Sequence, residues 1–221
     1  MLKGDVRLPT QTFFNLSEEK RNRLIYAAME EFSKKSLNQA SINTIIKKAC
    51  VSRGSFYQYF ENKEDLFFYI MKLVKTDSER LLVEEIIKAD GDLFIGVRKY
   101  FPKLLLSVME TPNADFFKQL FLHLDYRTSK EVTPEQLREY EEGKVTRKDV
   151  FSHVDRDQLK ANTDEKLLCL VNFIVSMMMQ EIVEGYAKER SRKEIYFYFC
   201  QKLNWVEHGA RKEIKTEAEE K

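Results

Sequence analysis

A chain of 221 residues with 43% hydrophobic side chains can bury one large core or two modest ones, and seven glycines and four prolines are too few for a loop-rich β fold. Its formal net charge of +1 conceals an asymmetry: residues 1–75 carry 13 Lys/Arg against 8 Asp/Glu, whereas residues 76–221 carry 24 against 28. No window approaches the ~18 uninterrupted apolar residues of a membrane span, the opening MLKGDVRLP lacks the apolar run of a signal peptide, and Cys50, Cys169 and Cys200 have no metal or CxxC spacing, so a cytoplasmic all-α protein with reduced, inert thiols and no membrane partner is expected.

Residues 1–13 read as a polar tail, and Ser17 with Lys20 and Arg21 starts the first helix. Ser41 is the expected N-cap of a second helix, with Ile42, Ile45, Ile46 and Ala49 recurring on one apolar face. Ser52 restarts a third helix after only Cys50 and Val51, too few residues for anything but a sharp turn, so the pair reads as a helix-turn-helix. Asn62 caps a fourth helix beginning KEDLFFYIMKLVK, which bridges two domains. The turn Asp90-Gly91-Asp92 precedes a helix with Pro102 inside it, kinked or restarted there. Thr111-Pro112-Asn113 breaks the pattern before DFFKQLFLHLDY. From Thr128 to Lys160 the composition turns polar, with Thr133-Pro134-Glu135 a capped helix start. Thr163-Asp164-Glu165 opens a long helix, residues 192–208 form the last, and RKEIKTEAEEK is a charged tail.

The third helix places Arg53, Gly54, Ser55, Gln58 and Tyr59 on its outer side and Phe56 and Phe60 inward. Arg can read guanine, Gln can read adenine, and Ser or Tyr can bond phosphate, so this face suits a major groove. Judged by pattern alone the segment could also be two packed core helices; the basic N-terminal third favours DNA. The run from Phe14 to Leu66 resembles the TetR family of bacterial repressors. The resemblance lies in Phe14, Leu16, Ala28, Phe32, Ile45 and Ala49, in Val51-Ser52-Arg53-Gly54-Ser55, in Phe56-Tyr57-Gln58-Tyr59-Phe60, and in Lys63-Glu64-Asp65-Leu66. It implies a DNA-binding set of Ser41, Asn43, Ser52, Arg53, Gly54, Ser55, Tyr57, Gln58, Tyr59 and Lys63, with Lys63 gripping the phosphate backbone. The family usually has glycine where this chain has Ser36 and Cys50, so Cys50 must take up a turn geometry that glycine prefers.

The expected domains are residues 1–66 (arm and helix-turn-helix), 67–209 (helical effector-binding and dimerisation domain) and 210–221 (tail). The helices near 163–189 and 192–208 are apolar around much of their circumference, which implies a partner surface. The family resemblance implies homodimerisation there, with Leu170, Phe173, Ile174, Met177, Ile182, Tyr196, Phe199 and Trp205 as interface or underlying core. An aromatic and methionine set, Phe101, Leu105, Met109, Phe117, Phe121, Met177 and Met178, is either ordinary core or the lining of a small-molecule pocket; the resemblance favours a small hydrophobic effector. Neither a metal nor any other cofactor is expected, because His123, His153 and His208 are scattered and no nucleotide or hydrolase motif occurs. The reading is a ligand-responsive repressor that binds a palindromic double-stranded DNA operator and is not an enzyme; the rival is a helical small-molecule carrier or enzyme with no DNA role.

Overall fold

The computed structural model describes residues 9–123 and 151–209. The arm before residue 9, the expected helix start at Thr133 and the charged tail lie outside the described residues. Every regular element described is helical: α1 Gln11–Phe14, α2 Glu18–Lys34, α3 Ile42–Ala49, α4 Arg53–Tyr59, α5 Lys63–Ile87, α6 Leu93–Met109, α7 Ala114–His123, a 3₁₀ turn Arg156–Gln158, α8 Asp164–Ala187 and α9 Arg192–His208.

The helix starts follow from side-chain capping. Ser17, Ser52, Asn62, Asp92, Thr163 and Ser191 each accept a hydrogen bond from the amide three residues on. Ser41 departs from expectation: it stands at the N-cap of α3, but its side chain makes no cap bond. Its backbone N–H donates instead to the buried Glu31 carboxylate at 2.9 Å, which also takes the Lys35 ammonium at 2.8 Å. Burial alone would push the Glu31 carboxyl up, but those two donors hold it below its ordinary value.

Helix α2 buries Leu24, Ala27, Ala28, Glu31 and Phe32, an i, i+3, i+4, i+7, i+8 stripe, and packs on α3, α5 and α7. Helix α3 ends with the Val51 N–H on the Ile46 carbonyl and Cys50 in the left-handed region at φ 54°. The geometry glycine prefers is therefore taken by a cysteine. The same closure recurs at Asp90 after α5 and at Glu189 after α8.

The C-terminal helices stack closely where a glycine removes a side chain. A Cβ on Gly96 of α6 would meet the Ile86 Cα of α5 at 2.9 Å, and one on Gly185 of α8 would overlap the Ile195 side chain of α9. Helix α6 runs unbroken through Pro102. Proline lacks the N–H that would bond the Arg98 carbonyl, and the Tyr196 hydroxyl from α9 donates to that carbonyl at 3.2 Å. Burial pushes the Tyr196 phenol up to about 12, so it stays a donor at neutral pH. Tyr186 of α8 likewise donates to the Val108 carbonyl near the end of α6 at 2.5 Å. The two halves of the chain meet through aromatic rings: Phe32 of α2 contacts Phe67 of α5, which contacts Phe116 of α7.

By length and composition alone, α8 is the one described helix apolar enough to cross a membrane. Leu167, Val171, Ile174, Met178, Ile182 and Gly185 nevertheless form a buried stripe, and its buried Glu181 pairs with Lys202 and Arg190. It is built as a core helix with a second apolar face.

Because a left-handed residue with a Cβ is strained, Cys50→Gly should raise stability by about 1 kcal/mol. Denaturant unfolding of the two proteins checks this; an unchanged or lower midpoint would mean that the turn carries no such strain.

Candidate nucleic-acid interface

Helix α4 is seven residues long and lies across α3 after the Cys50 turn, with Phe56 fully buried beneath it. Ser52, Arg53, Gly54, Tyr57 and Gln58 are exposed, and Ser55 is half-buried, its hydroxyl paired with that of Ser52 at 2.8 Å. A Cβ on Gly54 would meet nothing closer than the Ser52 Oγ at 4.0 Å, so its missing side chain serves outside approach rather than internal packing.

Tyr59 is corrected. It is only 9% exposed and lies 6.1 Å from the ring of Phe13, not on the outer side of α4. The cause is α1, a one-turn helix that lays Phe13 over the end of α4 within a cluster that includes Phe60 and Tyr69. Just before it, the Thr10 N–H donates to the Tyr59 carbonyl at 3.0 Å and the Thr10 hydroxyl to the Gln58 carbonyl at 2.5 Å. Four residues carry no readable helical period, and only the paired Phe13 and Phe14 hinted at an anchored segment.

The exposed side chains are organised rather than loose. Arg53 Nη1 donates to Asn43 Oδ1 at 2.7 Å, and its guanidinium carbon lies 5.6 Å from the Tyr57 ring centre. Asn43, Thr44 and Lys47 form the exposed side of α3, opposite Ile45, Ile46 and Ala49; Thr44 and Lys47 were legible from that alternation but were not singled out. The Lys63 ammonium donates to the Asn38 and Ala40 carbonyls at 2.8 and 3.0 Å. It thereby fastens the α2–α3 loop to the start of α5, and one of its three N–H donors remains for another acceptor.

Ser41, Asn43, Arg53, Tyr57, Asn62 and Lys63 line one recess of about 320 Å³. The start of α3 opens nearby without a side-chain cap, so its first amides are available to an anion at the positive end of the helix dipole. Glu61 and Glu64 line the same hollow, so its two cations, two hydroxyls and uncapped amides are balanced there by two carboxylates, and Gln58 is exposed outside it.

The proposed effector residues divide. Phe101 is fully buried with its ring 4.2 Å from that of Phe199, and Leu105 and Met178 are equally enclosed. Phe117 and Phe121 stack in a row that continues to Tyr186, a residue sequence reasoning missed, and Met109 is half-buried one residue beyond the carbonyl that Tyr186 bonds. Met177 instead lines an outer groove of about 430 Å³ with Phe173, Trp205 and Val206.

The interface candidates also separate. Ile174, Met177, Ile182 and Phe199 are core, Leu170 and Tyr196 are half-buried, and Phe173 and Trp205 are each 56% exposed. Phe197, which sequence reasoning passed over, is exposed as well.

Comparison with known proteins agrees with this anatomy. Residues 24–70 match the family described as "Bacterial regulatory proteins, tetR family", and residues 92–210 match "Tetracyclin repressor-like, C-terminal domain". The HTH-type transcriptional regulator AcrR of Shigella flexneri is 28% identical over 108 residues, 49% of this chain and 48% of that protein. From Bacillus subtilis (strain 168), the uncharacterized HTH-type transcriptional regulator YdgC is 39% identical over 70 residues, 30% of this chain and 36% of that protein. The chain thus spans half or less of the length of these relatives. A crystal structure of a TetR family transcriptional regulator from Chloroflexus aurantiacus J-10-FL is similar over 94% of this chain and 100% of that one, with a TM-score of 0.46 and 20% identity. With family matches over both the helix-turn-helix and more than half of the whole length, this chain belongs to the TetR family of bacterial regulatory proteins.

Proposed function

We propose that the protein is a transcriptional repressor that binds a palindromic operator as a homodimer and is released by a small apolar effector. The observation that carries the DNA reading is the exposed face of α3 and α4, where Asn43, Arg53, Tyr57 and Gln58 stand at the surface, with Lys63 and the uncapped amides of α3 beside it. Phosphates bound by Lys63 and the α3 amides would hold α4 in the major groove, with Arg53 and Gln58 at the base edges. Arg53→Ala and Gln58→Ala should each lose about 1–3 kcal/mol against the preferred operator and lose discrimination with it. Lys63→Ala should weaken all sequences alike and flatten the dependence of log K on log salt by about 1. Fluorescence anisotropy on operator and scrambled duplexes at several salt concentrations checks all three; a wild-type protein that binds neither duplex defeats the reading.

Homodimerisation is supported by the outer faces of α8 and α9, where Phe173, Phe197 and Trp205 stand exposed around an apolar groove. A twofold pair would set two α4 helices about 34–36 Å apart, as successive major grooves require. Phe173→Glu should yield a folded monomer with weakened operator binding, seen by sedimentation. Phe199→Glu should unfold the chain instead, because Phe199 is fully buried and not an interface residue as the sequence allowed.

The effector reading centres on Met109, Phe121 and Tyr186, half-buried where α6, α7 and α8 meet. From there the ring row through Phe117 and Phe116 to Phe67 and Phe32 reaches α2, and α5 itself carries Lys63 at its first turn. A ligand that favours one packing of α7 would bias the recognition helices by the usual coupling of about 1–3 kcal/mol. Met109→Trp should blunt the response to apolar compounds while leaving ligand-free operator binding intact; thermal-shift screening followed by anisotropy checks it, and an undiminished response removes Met109 from the site.

A further inference from the structure

The exposed, base-facing part of α4 is fixed at its C-terminal end by a residue far from it in sequence. A seven-residue helix has little stability of its own, and its last carbonyls have no partner within the helix. The Phe60 N–H closes on the Phe56 carbonyl, after which the backbone turns extended. The next two carbonyls to find donors, those of Gln58 and Tyr59, are both taken by Thr10, one by its hydroxyl at 2.5 Å and one by its N–H at 3.0 Å. Immediately beyond, Phe13 sets its ring 4.9 Å from that of Phe60 and 6.1 Å from that of Tyr59, so the segment is held by packing and delivers its donors in place.

One of those carbonyls belongs to Gln58, whose side chain projects outward from the same Cα. The hydroxyl of Thr10 therefore fixes the peptide plane from which the candidate adenine-reading amide is aimed. Bidentate base contacts tolerate little displacement of the groups that make them. We infer that Thr10 is a positioning residue for sequence discrimination: it caps the recognition helix from outside and sets the aim of Gln58 without touching DNA. This rests on the reading of α4 as the recognition helix.

The test uses the full chain, a duplex that the wild-type protein selects from a random-sequence pool, and a scrambled duplex of the same composition. Thr10→Val removes the hydroxyl and keeps the branched shape and the N–H; Thr10→Ser keeps the hydroxyl. The valine variant should lose about 3- to 10-fold in the ratio of selected to scrambled affinity, with an unchanged salt slope, and the serine variant should keep the wild-type ratio. Thr10→Ala serves in place of valine if the latter disturbs α1. Amide exchange at Phe60 should accelerate in the valine or alanine variant and not in the serine variant. In a Gln58→Ala background, removing the Thr10 hydroxyl should have no further effect on the ratio, because no side chain is left to aim. Wild-type discrimination in both hydroxyl-free variants overturns the inference, and so does an equal loss with and without Gln58, which would make Thr10 a general stabiliser. If the wild-type protein selects no sequence from the pool, the recognition-helix reading fails and takes the inference with it. If Gln58→Ala loses discrimination while the Thr10 variants do not, the inference alone fails.

Discussion

Helix ends leave carbonyl oxygens that nothing in the helix can satisfy, and in this protein the donors arrive from other elements. Thr10 serves the end of α4, the Arg23 Nε serves Ala49 at the end of α3, and an Arg21 Nη serves Phe14 at the end of α1. Lys63 holds two carbonyls of the α2–α3 loop, and the phenols of Tyr186 and Tyr196 serve two along α6. The bonds from Arg23, Tyr186 and Tyr196 are partly buried, where an unpaired carbonyl would cost part of the roughly 1–3 kcal/mol of a buried orphan, whereas those from Thr10 and Arg21 lie at the surface. The short helices of the DNA-binding half thus have their ends tied by Thr10, by Arg21 and Arg23 of α2 and by Lys63. Helices α3 and α4 are themselves joined by the Cys50 turn and by the bond from Arg53 to Asn43, on which any groove contact depends.

The legible parts of the fold were those with a period or a cap. Ile42, Ile45, Ile46, Ala49 and Phe56 fell on helical stripes, and Ser52, Asn62 and Thr163 carried the oxygen that a helix start needs. Cys50 was legible for a different reason, since it stands where the family resemblance places a glycine, and it takes the left-handed geometry that glycine prefers. What could not be read was tertiary. Tyr59 looks like an outward residue until α1 covers it, and no local pattern says that four residues before Ser17 fold back over α4. Ser41 has the chemistry of a cap, but a buried Glu31 ten residues earlier takes its N–H and leaves the hydroxyl idle. Pro102 permitted a kink or a restart because the sequence does not show Tyr196 facing the orphaned carbonyl.

In the C-terminal half, apolar content alone could not separate core from surface. Phe199 and Phe173 are chemically identical and occupy similarly apolar helices, yet one has no exposure and the other is more than half exposed. The difference lies in angular position: Phe199 shares a stripe with Ile195 and Leu203, whereas Phe173 lies beside Gln180 and Ser176 on the outer groove. The methionines divide in the same way. Met178 is sealed, while its neighbour Met177 turns toward the groove, so a run of three that seemed to furnish one chamber serves two surfaces of the same helix.

The bond from Tyr196 to the Arg98 carbonyl constrains how this half can move. Because Pro102 leaves one acceptor at one height along α6, the phenol works as an index pin between α6 and α9. A slide of α9 by a helical turn would take the phenol off that acceptor, whereas a rotation about the pin keeps it paired. The Arg98 side chain adds a second hold on α9 through Glu207, 2.6 Å away and eleven residues beyond Tyr196. Helices so indexed are held against sliding more firmly than against tilting, because both ties join fixed heights on α6 and α9.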